Sequence, residues 1–213
     1  MVETSGVSQT ATESTLAPES GAEDPYCWLQ GVPGYEPAAE WLAALPVPEK
    51  HSLSILQSFD EAGSARRGAF IGPLFFDPAY GLLTLAEREF IGVVVSAVNA
   101  CITCLVVHTQ RLGELIADHG RARRISINYR SVGLSQQERA IADFCVKLTE
   151  HPGRMEEADI KRLREAGLTD HKIYFIVELV AAFNLTNRMT SGYGVRPDDD
   201  FMLKISSPVA SVA

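Results

Sequence analysis

A chain of 213 residues with 46% hydrophobic and 22% charged residues has room for one ordinary domain with a real core, which excludes wholesale disorder. The net charge of -8 is unevenly placed: Glu3, Glu13, Glu19, Glu23 and Asp24 fall in a stretch without Lys or Arg, leaving 22 acids against 19 bases in the rest. A nearly neutral body offers little to a phosphate backbone, so nucleic-acid binding is excluded as the leading class.

Residues 1–26, rich in Ser, Thr, Glu and Gly, lack a secretory signal pattern and read as the disordered acidic tail of a cytoplasmic protein. A helical domain is expected over residues 27–205, with a short C-terminal tail over 206–213. Its first helix is expected over 37–45, interrupted by Pro46 and Pro48, and a second over 49–62 with Leu53, Leu56 and Phe59 at helical spacing. Gly72, Pro73, Pro78 and Gly81 make residues 68–83 read as a connection. Thr84 with Glu87 three residues on is a capping box that opens a strong helix.

The apolar stretch 90–107 raises the question of a membrane span, but Ser96, Asn99 and Thr103 lie within it and Glu87, Arg88, Glu89 and His108 flank it. A buried core segment is expected. Gly120 closes this run, after which Arg121, Arg123, Arg124 and Arg130 read as decorating a solvated loop with no assigned partner. Ser135 and Glu138 form a second capping box, for a helix that stops before Pro152. A short helix is expected over 156–166 with Gly167 as its cap, then a long apolar one from Thr169 or Asp170 that ends before Gly192. With no competing strand pattern, the fold class is all-α, a helix bundle.

The chemistry is concentrated in Cys101-Ile102-Thr103-Cys104 with His108 beyond it. On one helix these three side chains fall within roughly 60° of arc. A thiolate is the reactive form of cysteine, an imidazole or a helix N-terminus lowers the cost of forming it, and a second thiol three residues away can close a disulfide with an oxidised neighbour. Haem attachment would need His at position 105, which is Leu105, and a thioredoxin-like site would need a strand before the CxxC. Zinc on Cys101, Cys104 and His108 is a weaker reading, because no second Cys pair closes the site; no metal and no cofactor are expected. Cys27 and Cys145, without partners in sequence, read as buried core cysteines.

On a single straight helix Glu89 and His108 would be about 28 Å apart and unable to cooperate. If the chain turns back near Asn99, both are equidistant from the turn, as are Ser96 and Cys101. An antiparallel pair then sets carboxylate against imidazole and hydroxyl against thiol, and starts a new helix at Cys101, where its dipole favours a thiolate.

The order Glu89, Ser96, Cys101, Cys104, His108 resembles the redox members of the carboxymuconolactone decarboxylase and alkylhydroperoxidase D superfamily. Asp143-Phe144 through Thr149, Ala166 to Asp170, Phe183-Asn184 with Asn187-Arg188, and Gly194-Val195 with Pro197-Asp198 resemble its peroxidase-related branch, so the likeness spans roughly residues 40–201. The resemblance implies an all-helical fold assembled as trimers or hexamers, and reduction of a hydroperoxide by thiols with a dithiol as reductant. It assigns Cys104 as peroxidatic, Cys101 as resolving, and His108 with Glu89 as the proton relay. Two positions depart from the pattern: Thr103 stands where alkylhydroperoxidase D carries His, and Ala100 where Gly is frequent. Decarboxylase members lack the CxxC, which disfavours that activity. The alternatives are a redox-responsive binding protein or thiol-disulfide oxidoreductase without peroxide turnover, and a structural oligomer with vestigial cysteines.

Overall fold

The computed structural model describes residues 26–44, 50–197 and 202. Among them the chain forms α1 (Ala39–Ala44), α2 (Lys50–Phe59), α3 (Glu61–Phe76), α4 (Leu85–Val98), α5 (Ile102–Leu115), α6 (His119–Asn128), α7 (Gln136–Glu150), α8 (Glu157–Glu165) and α9 (Asp170–Gly192), with no strand. The two tails expected from the sequence lie outside the described residues, Tyr26 apart.

Helix α4 is the axis of the bundle, packed on α5, α6, α7 and α9. Its residues from Arg88 to Ser96 are all buried, which fits a helix that is apolar on every side. Burial of Ile91, Val93, Val94 and Val95 contributes about 1.5–3 kcal/mol each. The Thr84 and Ser135 capping boxes form as expected, each with the hydroxyl accepting from the Glu backbone N–H and the Glu carboxylate accepting in return. The apolar stretch 90–107 is divided between α4 and α5, and no described helix is long and apolar enough to cross a membrane.

The turn near Asn99 is present. Asn99 caps α4, Ala100 takes φ +51°, the Ala100 N–H donates to Ala97 O, and the Cys101 N–H donates to Ser96 O at 3.1 Å. This is a Schellman ending, which glycine normally supplies because the left-handed backbone crowds a Cβ. The same pattern ends α5 at Ala117, also at φ +51°, and ends α8 at Gly167.

Two expectations are corrected. Residues 68–76 belong to α3, which begins after Asp60, whose carboxylate accepts from the Gly63 N–H at 2.7 Å. Gly68, Gly72 and Pro73 are tolerated because tertiary contacts outweigh their poor propensity. The buried Arg88 guanidinium donates to the carbonyls of Pro73, Leu74, Asp77 and Tyr80, so one cation closes the C-terminal end of α3 and the segment after it. The arginines after Gly120 are likewise mostly helical: Arg121, Arg123 and Arg124 lie in α6, capped by Asp118 and held to the core by Ala122 and Ile125. Gly120 lies in its first turn; the true break is the left-handed Ala117.

Candidate active site

The reversal at Asn99 and Ala100 lays α5 back along α4 and brings Glu89 to His108. Glu89 is 2% exposed; its Oε2 lies 2.6 Å from His108 Nδ1, and its Oε1 accepts from Arg111 Nε at 2.7 Å. A carboxylate that accepts from a guanidinium has only acceptor capacity left, so Nδ1 carries the hydrogen and Nε2 is the nitrogen left for proton exchange. Arg111 also lies over the Phe76 ring, 4.6 Å from its centroid, which fixes the guanidinium from behind. Edge-on contacts from Phe183 at 4.8 Å and Phe75 at 6.0 Å set the plane of the imidazole.

Cys101 is the N-cap of α5, and Cys104 lies in the first turn. The pair lies 3.0 Å apart as two free thiols. The hydrogen bond from the Cys104 thiol holds Cys101 down to about 6, against burial, helped by the Cys104 N–H, the Ser191 side chain and the charge of His108. That N–H faces the sulfur without reaching capping geometry. Donating its proton to Cys101, and then burial, push Cys104 well above the ordinary thiol range. The two sulfurs therefore behave as a unit that loses one proton readily and holds the second between them.

Cys104 and His108 line one cavity of about 710 Å³, whereas Cys101 lies behind it at 1% exposure. The cavity is roofed by α2 and α3, with Leu53, Leu56, Ile71 and Phe75 among its apolar walls and Thr190 and Met189 of α9 at its base. Cys104 Sγ is 3.9 Å from the Thr190 hydroxyl.

Ser96 is also drawn in, though with a different contact from the one its spacing suggests. Its carbonyl, not its hydroxyl, meets Cys101, and the hydroxyl accepts from Asn187 Nδ2 at 3.2 Å. Asn187, 1% exposed, in turn accepts from Asn99 Nδ2 at 3.0 Å and helps to lower the cost of a Cys104 thiolate. Thr103 turns away from the cavity: its hydroxyl donates to Val195 O at 2.7 Å and ties the CxxC to the segment after α9.

Sequence reasoning missed Arg111, Thr190 and Ser191, and gave Asn187 only as part of the family resemblance. A signal existed, because Arg111 is three residues from His108, and Asn187, Thr190 and Ser191 recur at helical spacing on an apolar helix. Among the described residues no group of three His, Cys, Asp or Glu side chains is arranged to hold a metal ion.

No protein-family model matches the chain, and no curated protein matches it. Solved structures do. An uncharacterized peroxidase-related protein from Silicibacter sp. TM1040 is 27% identical, over 86% of this chain and 97% of that one, with a TM-score of 0.73. An uncharacterized peroxidase-related protein with an alkylhydroperoxidase AhpD core, from Ralstonia eutropha JMP134, is 28% identical over 87% and 100%, with a TM-score of 0.70. The debrominase Bmp8, in complex with 2,3,4-tribromopyrrole, shares the fold at 11% identity over 78% and 86%, with a TM-score of 0.61. Fold, covered length and identity agree with the spaced motif: the chain has the alkylhydroperoxidase D-like fold and is similar to peroxidase-related proteins that share it.

Proposed function

We propose that the protein reduces organic hydroperoxides with the Cys101–Cys104 dithiol. The observation that carries this reading is the placement of Cys104 and His108 on one apolar cavity, with Cys101 3.0 Å behind the attacking sulfur. A debrominase shares the fold, so the fold alone does not choose the reaction.

The pair holds one proton, on Cys104, with Cys101 as thiolate. As the Cys104 sulfur attacks the terminal peroxide oxygen its proton passes to His108 Nε2, the S–O bond forms and the O–O bond breaks, and the alkoxide takes that proton from Nε2 and leaves as the alcohol. Cys104 is then a sulfenic acid. The Cys101 thiolate attacks it, the S–S bond forms, the S–O bond breaks, and the hydroxide leaves, taking a proton from solvent as water. The dithiol is oxidised by two electrons and the peroxide is reduced by two; an external dithiol restores the pair by exchange. Glu89 and Arg111 keep the imidazole oriented and its Nε2 available throughout.

A general exchange activity on protein disulfides is the weaker reading, because Cys101 and Cys104 are 1% and 8% exposed and a folded partner's disulfide would have to reach them through the cavity. The direct test is mass spectrometry of the reduced protein after one equivalent of cumene hydroperoxide. The expected product is a Cys101–Cys104 disulfide, formed as cumyl alcohol appears. Recovery of the dithiol with the peroxide intact would contradict the reading.

A further inference from the structure

The cavity is far larger than a hydroperoxide group requires. At about 710 Å³ it lies within the range that holds a drug-sized molecule. Its shape follows from α3. Arg67, Ile71 and Phe75 recur at four-residue spacing and form one row along the cavity. Gly68 and Gly72 lie beside that row on the same wall, and a Cβ built at either meets no atom within 4 Å. Two glycines in a helix interior each cost about 1 kcal/mol relative to alanine. Here they keep open a groove that any larger side chain would narrow.

The two ends of this groove differ chemically. At one end Phe75 packs edge-on to His108, beside Cys104. At the other, roughly 12 Å away along the helix at 1.5 Å per residue, is Arg67. The Arg67 side chain is 37% exposed and donates to Ser64 Oγ at 2.9 Å. Its only carboxylate neighbour among the described residues, Asp60, is 3.8 Å away and has its other oxygen committed to the Gly63 N–H. The guanidinium is half-sheltered and incompletely paired, a condition that favours a second carboxylate in bidentate contact.

We propose that the groove takes the hydroperoxide of a linear, amphipathic carboxylic acid, with the carboxylate on Arg67, the apolar chain over Gly68 and Gly72, and the peroxide at Cys104. The peroxide end of this inference rests on the hydroperoxidase reading, but the carboxylate end does not. Arg67 is a specificity-determining residue and acts on binding, not on the bond-breaking step.

The test uses the full-length reduced protein and two readouts. In the first, dodecanoate, which has no peroxide, protects the reduced Cys101–Cys104 pair from alkylation by N-ethylmaleimide. The concentration giving half protection rises about tenfold in Arg67→Gln, the loss expected for one charge-assisted contact, and Gly72→Leu abolishes protection. In the second, wild type turns over linoleic acid hydroperoxide with a kcat/KM about tenfold above that of its methyl ester, and this ratio falls toward one in Arg67→Gln. Thermal melts confirm that the variants are folded. Equal rates on acid and ester in wild type, or a ratio unmoved by Arg67→Gln, overturn the inference while leaving the hydroperoxidase reading intact. Arg67-dependent protection by dodecanoate without turnover of any hydroperoxide supports the carboxylate site and overturns the hydroperoxidase reading instead.

Discussion

His108 Nδ1 lies 2.6 Å from Glu89 Oε2 although 19 residues separate them, because one left-handed residue, Ala100, folds α5 back on α4. A carboxylate as buried as Glu89 needs a countercharge, and Arg111 supplies it on the other oxygen.

Replacing Arg111 by Met leaves His108 as the one polar side chain bonded to the Glu89 carboxylate among the described residues. The carboxylate loses the contact that fixes its orientation, and the imidazole it positions is held less firmly beside Cys104. The kcat/KM for hydroperoxide falls about tenfold or more. Thermal melts show whether the variant is folded; a folded Arg111→Met with unchanged kcat/KM would contradict the positioning role.

Alkylation of the reduced pair by iodoacetamide follows its thiolate. With Cys101 held down to about 6, the thiolate is present above that pH and disappears as pH falls through it. In Cys104→Ala the main stabilising hydrogen bond is gone, so the midpoint of the rate–pH curve rises toward the ordinary thiol value of about 8.5. An unmoved midpoint would mean that the helix end and His108, not the neighbouring thiol, set the acidity.

Ala100 adopts a backbone that costs an L-residue roughly 1–2 kcal/mol. Ala100→Gly removes that strain and gives back part of the gain in unfolded-chain entropy, for a net stabilisation of about 1 kcal/mol. Urea unfolding measures it; a destabilised Ala100→Gly would show that the turn is not strained as described.

At Gly92 a Cβ would stand 2.4 Å from Phe183 Cζ. Gly92→Ala therefore forces α4 and α9 apart or shifts the ring, at about 1–3 kcal/mol. Phe183 stacks on Phe75 at 4.2 Å and touches His108, so lower thermal stability should come with slower turnover.

Much of this architecture could be read from the residues. Thr84–Glu87, Ser135–Glu138 and Gly167 announce their helix ends by the hydrogen bonds they make, and the Glu89–His108 symmetry about Asn99 located the reversal. The errors have two physical origins. Ala117 does a glycine's work at the end of α5, so in the sequence Gly120 reads as the terminator and α6 as a loop. In α3, Gly68, Gly72 and Pro73 suggest a connection, and nothing local reveals that Arg88, on the next helix, will satisfy the carbonyls at its end. The site was legible where its residues are separated by a fixed helical count. The helical spacing of Asn187 and Thr190 marks a shared face of α9, but nothing local shows that this face meets Cys104, which follows from the packing of α9.

The most direct measurement is consumption of an organic hydroperoxide by the purified protein with a dithiol reductant, for wild type, Cys104→Ser, Cys101→Ser and Glu89→Gln. The account predicts sustained turnover by wild type and none by Cys104→Ser. It also predicts a single equivalent consumed by Cys101→Ser, and about a hundredfold slower turnover by Glu89→Gln. A wild-type rate no faster than the reductant alone, or a Cys104→Ser rate equal to wild type, would contradict it.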